Sequence, residues 1–266
     1  MRETKSLVGS IAQRSRPGLS PNGCQREGFT LVELLAVILI IGLHAAIMTP
    51  VIMQSLAKAR NAAIKSEIDM LHMAIMNYKN EYGSFPPASD TINGTPGNVN
   101  KHLQRLFPRA PLANLATSSQ AGTLSPLTAL GVWLTGYTTT PTDPVANANP
   151  SLIRQKLFDF DQSRMTGYQY APSGKPGSPY LYINSSAYSS LPYDVVNSAT
   201  TFGAMRQSYA GDPSPFTNVN TETNAWFNPD TFQIICAGRD EQFGTDDDLS
   251  NFWPGTRKEY LESLGN

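Results

Sequence analysis

Two acidic features of the 266-residue chain carry side chains that could do chemistry. The first is "GRDEQFGTDDDLS". Five of the nine residues from 240 to 248 are acidic there: Asp240, Glu241, Asp246, Asp247 and Asp248. Crowded carboxylates repel one another, so such a set needs a cation or full hydration. Ca2+ takes about six to eight oxygen ligands from carboxylates and carbonyls and suits a flexible loop. The spacing is not that of an EF-hand, so a solvated acidic turn stands as the alternative. The second feature is Glu33, a lone carboxylate near the start of "FTLVELLAVILIIGLHAAIMTPVIM". A carboxylate in hydrocarbon is costly and is normally paired or functional; the plainer alternative is a residue at the headgroup boundary that marks a helix start. His44 is the other ionisable side chain of this stretch, and a neutral, satisfied histidine is expected there.

Little else in the chain has the spacing of a reactive site. The cysteines, Cys24 and Cys236, are too few for a disulfide framework. No CxxC pair, Cys/His cluster, Gly-rich phosphate loop or GxSxG elbow occurs, and His44, His72 and His102 lie far apart. These absences lower the expectation of an enzyme. The net charge is -1 and charged residues make up 15%, so nothing suggests nucleic acid as a partner.

The elements that hold the two features can be read from periodicity. Residues 29–53 are long enough to cross a bilayer, which takes roughly 20 helical residues. Residues 1–28 are polar and carry Arg2, Lys5, Arg14, Arg16 and Arg26 against Glu3 and Glu27. That basic side is expected to stay in the cytoplasm, although Lys58, Arg60 and Lys65 on the far side weaken the asymmetry. Apolar residues then recur at Ile64, Ile68, Leu71, Ile75, Tyr78 and Tyr82, one stripe of an amphipathic helix. Gly83 and "SFPP" end it. Residues 29–82 thus read as one helix about 80 Å long at ~1.5 Å per residue, bent or loosened near Pro50. Residues 83–266 form a head, loop-heavy to 150, with a helical piece at "LTALGVWLTGY". Strands are expected at "GYQYAP", "PYLYIN" and "TFQIICA", the last with Phe232, Ile234 and Cys236 on one face and Cys236 a buried thiol. The expected architecture is α+β, an antiparallel sheet packed on the helix stripe.

At "GFTLVELL" the chain resembles a known family. Gly28 closing a basic leader, then Phe29, Glu33, a continuous apolar run and Pro50 together resemble the class III signal of type IV pilins and type II secretion pseudopilins. "YKNEYGSFPP" is similar to the helix end of pseudopilins. The resemblance implies a pilin-like fold, with a leader at 1–28, an N-terminal helix at 29–82 whose first part (29–53) is transmembrane and filament core, and a periplasmic head at 83–266. It implies cleavage after Gly28 by a prepilin peptidase on the cytoplasmic face and N-methylation of Phe29. The leader is longer than is usual in the family. The new amine of Phe29 on one subunit would then meet Glu33 of a neighbour, a charge pair formed in a dry environment. The acidic stretch resembles the C-terminal calcium loop of major pseudopilins. That match makes Asp240, Asp246 and Asp248 side-chain ligands for Ca2+, with Asp247 as a further member of the set. Glu241 stands where the family often has Gly.

The implied function is a structural subunit of a type II secretion pseudopilus, anchored in the inner membrane. Its implied partners are copies of itself, other pseudopilins, the peptidase, the assembly platform and lipid. A type IV pilus or DNA-uptake pilin is the nearest alternative. A membrane-anchored binding protein that never assembles, or an anchored hydrolase using paired carboxylates, are alternatives of other classes.

Overall fold

The structure, a computed structural model, describes residues 28–90, 97–115, 124–146, 151–174, 178–188, 205 and 226–264. The expected leader, apart from Gly28, and Cys24 lie outside the described residues. The chain divides into two compact units, residues 1–52 and 53–266.

In the first unit, helix α1 (Leu31–Tyr82) begins two residues later than the apolar pattern implies. The cause is a reciprocal cap. The Glu33 amide donates to Thr30 Oγ1 (3.2 Å), and the Thr30 amide donates back to Glu33 Oε2 (2.9 Å). This is the T-x-x-E capping box, which leaves Thr30 at the boundary and Phe29 outside the helix. Every side chain from 31 to 52 is exposed. Among the described residues, α1 is the one helix long and apolar enough to cross a membrane. His44 sets Nδ1 2.8 Å from the Ile40 carbonyl, one turn back, and so is satisfied within its own helix. The helix continues through Pro50.

The second unit holds the rest of α1 and the head. Its core is seeded by the α1 stripe: Ile64, Ile68, Leu71, Ala74, Ile75 and Tyr78 are buried. Tyr82 is half-buried against that core. Gly83 ends the helix with φ 77° and donates its amide to the Lys79 carbonyl at 2.7 Å. Only glycine adopts this left-handed cap without cost. The proline turn after it is tied down by core side chains. Trp133 Nε1 donates to the Pro87 carbonyl (2.7 Å) and the Tyr182 hydroxyl to the Pro86 carbonyl (2.9 Å).

Short helices α2 (Asn98–Leu106), α3 (Leu112–Leu115) and α4 (Ala129–Leu134) follow. Next come two small antiparallel pairs, β1 (Tyr137–Thr138) with β2 (Arg154–Gln155) and β3 (Met165–Thr166) with β4 (Gln169–Tyr170). The main sheet is antiparallel, in the order β5 (Leu181–Asn184), β6 (Phe232–Cys236), β7 (Leu249–Ser250). Its register pairs Leu181 with Ile235 and Cys236 with Leu249. Helix α5 (Arg257–Ser263) closes the described chain with its own capping box, Thr256 with Glu259. The architecture is the expected α+β, a long helix with a small antiparallel sheet.

Strand β6 forms where expected, and it is buried along its whole length, Gln233 included. Gln233 tolerates burial because its side-chain amide is satisfied by the backbones of Met205 and Phe227. It accepts from the Met205 amide (2.7 Å) and donates to the carbonyls of Met205 and Phe227 (2.8 Å each). A polar side chain so satisfied survives burial.

The core also holds a titratable group. His102 Nε2 lies 2.8 Å from the Tyr78 hydroxyl, which lies 2.6 Å from the Tyr137 hydroxyl. Burial and the adjacent Arg105 cation push the His102 imidazole down to about 4. The unfolded chain therefore binds a proton at His102 that the folded chain refuses, between its ordinary 6.5 and about 4. Stability is fully present above that window and falls as pH drops through it, by about 3 kcal/mol if nothing relaxes. Denaturant melts of the His102→Gln chain between pH 4 and 6.5 are expected to lack this share of the acid slope.

Candidate functional site

The acidic stretch forms the connection between β6 and β7. Its path is set by three residues with positive φ: Gly238 (63°), Glu241 (61°) and Gly244 (88°). Gly238 is sterically required, since a Cβ there would lie 2.4 Å from the Asp247 carbonyl oxygen. Glu241 adopts the left-handed conformation that glycine takes most cheaply.

The four aspartates do different work. Asp247 organises the loop from within. Its Oδ2 accepts from the amides of Arg239 and Asp240, and its Oδ1 accepts from the Thr245 hydroxyl at 2.7 Å. Asp240 Oδ1 accepts from the Gln242 amide (2.8 Å), a local turn. Asp246 pairs with Arg257 (Oδ1 to Nη1, 3.0 Å), and its carbonyl accepts from the Lys258 amide. The Arg257 amide donates to the Asp248 carbonyl at 2.8 Å, so the start of α5 is bolted to the loop.

Asp248 is the exception. It is fully buried. Oδ2 accepts from the Gly244 amide at 2.6 Å, while Oδ1 is buried and has no hydrogen-bond partner. Burial above all, then the Asp247 and Asp240 charges, pushes its carboxyl up to about 8 against the pull of the Gly244 amide and Arg257. Among the described residues, no group of three or more His, Cys, Asp or Glu side chains gathers as a metal-holding cluster. Of the predicted set, Asp248 alone offers a buried oxygen in want of a partner.

At the other predicted site, Gly28 and Phe29 precede α1 and are exposed, and nothing lies within 4 Å of where a Gly28 Cβ would be. Thr30 follows as the cap. Glu33 Oε2 accepts from both the amide and the hydroxyl of Thr30, each at 2.9 Å.

The chain is similar to a curated protein, "Type II secretion system core protein G" of Pseudomonas aeruginosa, at 30% identity over 113 residues. The match covers 79% of that relative and 38% of this chain. The chain belongs to the superfamily of type IV pilins and type II secretion pseudopilins. No family model matches, and no solved structure matches.

As a pilin-superfamily member the chain extends well beyond what it shares with this relative, since 38% of it accounts for most of the relative. Two features beyond the assembly and calcium roles emerge from the fold, one of them at a predicted residue. Glu67 on α1 is enclosed by Arg164, Tyr170 and Tyr180. Its position between Ile64 and Ile68 was the available signal: an acid on the inward side of a stripe needs a buried partner. The other is the cap role of Glu33, legible as T-x-x-E but masked by the apolar surroundings. Cys236 is buried as expected, and burial pushes its thiol up to about 12. That makes it a poor nucleophile.

Proposed function

We propose that the chain is a structural subunit of a type II secretion pseudopilus, held in the inner membrane by α1 with its head in the periplasm. The observation that carries the reading is the first unit of the structure. A helix apolar on every side and wholly exposed from 31 to 52 requires lipid or other helices around it. The relative named for the secretion system supports the system assigned. In this reading the prepilin peptidase cleaves after Gly28, Phe29 is N-methylated, and the subunits polymerise through residues 29–53 with the inner-membrane platform and other pseudopilins. The filament then supports protein export.

Intact mass and N-terminal sequencing of the protein recovered from membranes test this directly. The expected mature chain begins at methylated Phe29 and lacks 28 residues. A chain that keeps its leader in cells with an active peptidase would refute the processing step and leave an anchored domain.

The acidic loop is proposed to hold Ca2+. The orphaned Oδ1 of Asp248 is the observation that favours a cation there. Asp240, Asp246 and Asp247 would stand as the other side chains of the loop. A bound Ca2+ would supply positive charge that neutralises Asp248 and ties the β6–β7 connection to the start of α5. Calcium in millimolar excess is expected to raise the melting temperature of the chain, and chelation to lower it. Asp248→Asn should abolish that dependence; an equal calcium effect in both proteins would remove Asp248 from the site.

A further inference from the structure

Met70 and Met73 stand on α1 within the second unit, 53% and 61% exposed. Three residues apart, they are neighbours on one helix face. Both line a groove of about 510 Å3, with Leu157 and Phe158 as further apolar lining. Past the apolar stretch that ends at Met53, the other described methionines are withheld from solvent. Met205 is 1% exposed, and Met76 and Met165 are partly buried against the core. Cys236 is buried too, so its thiol is no rival for an aqueous oxidant.

A methionine thioether is apolar, and its sulfoxide is polar. We infer that Met70 and Met73 form a paired, reversible oxidation site that switches the wall of this groove from apolar to polar while the head stays folded. The co-reactant is a hydroperoxide. The sulfur lone pair attacks the outer peroxide oxygen, and an S–O bond forms as the O–O bond breaks. The proton left on the new oxygen neutralises the departing hydroxide as water. Sulfur loses two electrons and the peroxide gains them. A thiol-driven sulfoxide reductase reverses the change, returning thioether and water.

Position decides what the oxygen does. On Met205 or Met76 it would place a hydrogen-bond acceptor among apolar core side chains, which is costly. On Met70 and Met73 the acceptor meets water, so the fold is spared. Reduced, the groove offers the kind of apolar surface that makes contacts. Oxidised, any apolar contact there would bury two acceptors without donors.

The test uses the full chain in detergent, treated with hydrogen peroxide, with each added oxygen located by fragment mass spectrometry. The tryptic peptide of residues 66–79 carries Met70, Met73 and Met76 and so holds its own control. In the folded chain Met70 and Met73 are expected to oxidise first, with Met76 and Met205 roughly tenfold slower. In the urea-unfolded chain the four should react alike. The doubly oxidised chain should keep the parent's melting temperature, and so should Met70→Gln/Met73→Gln, which imposes a polar wall without peroxide. Sulfoxide reductases of both stereospecificities should remove the two oxygens from the folded protein. A Phe158→Trp chain reports the groove: its emission should move to the red on oxidation, and stay in place when Met70 and Met73 are both leucine. Met76 reacting as fast as Met70 in the folded chain, a collapse of melting temperature on double oxidation, or an unmoved emission would overturn the switch.

Discussion

Filaments are expected to disappear from cells producing the Glu33→Gln chain, while its head melts as before. The substitution separates two roles of one side chain. Glu33 closes the capping box with Thr30, and glutamine serves that box nearly as well as glutamate. The helix start should therefore survive. Only the charge is lost, and with it the partner proposed for the Phe29 amine of a neighbouring subunit. Leaving one member of a buried pair unmatched costs about 3–5 kcal/mol, roughly a hundred- to a several-thousandfold in subunit affinity. Thr30→Ala is the converse variant. It keeps the carboxylate and removes the hydroxyl of the cap, at about 1 kcal/mol, and should leave filament yield close to the parent's. Sedimentation of sheared filaments reads both. A Glu33→Gln chain that assembles normally, beside a Thr30→Ala chain that does not, would reduce Glu33 to a cap.

Much of this fold is visible in local sequence because much of it is helical and periodic. The stripe from Ile64 to Tyr82 predicts the core seam; structure adds Ala74 to its buried residues and leaves Tyr82 half-buried at its end. "PYLYIN" and "TFQIICA" predict β5 and β6 because aromatic and branched residues cluster between turn signals. The two-faced burial of β6 was less legible. Gln233 reads as a solvent-facing position until the backbone of Met205, 28 residues away, arrives to satisfy it. The start of α1 was misplaced for a local reason, since the apolar run masks a cap that consumes Thr30. In the acidic loop, composition locates the feature but cannot divide the labour. Asp247 becomes a scaffold through hydrogen bonds to Arg239, Asp240 and Thr245, and Asp246 is taken by Arg257 from the next helix. Asp248 is left with an unmatched oxygen because β7 carries it inward. None of those three outcomes follows from the spacing of the aspartates.

The same distinction between local and distant partners governs Glu67, whose removal should destabilise the head as much as the loss of a large core side chain. On α1 it falls between Ile64 and Ile68, and its partners come from about a hundred residues downstream. Both carboxylate oxygens contact the Arg164 guanidinium. Oε1 also accepts from the Tyr170 hydroxyl (2.7 Å) and Oε2 from the Tyr180 hydroxyl (2.5 Å). The ion pair is nearly enclosed, with side-chain exposures of 12% for Glu67 and 16% for Arg164. The Arg164 guanidinium also sits over the Tyr170 ring at 4.4 Å. Glu67→Ala leaves that cation nearly buried with only the half-exposed Asp161 carboxylate at 3.8 Å as a counter-charge, and strips two tyrosine hydroxyls of their acceptor. The expected cost is about 3–5 kcal/mol, roughly a 10 °C fall in melting temperature for a domain of this size. The informative partner is Arg164→Met. Removing both charges removes the stranded cation, so the double variant Glu67→Ala/Arg164→Met should be more stable than the Glu67→Ala chain. Denaturant melts of the three variants measure the coupling. Costs that simply add would mean that the two charges, though in contact, stabilise the head independently.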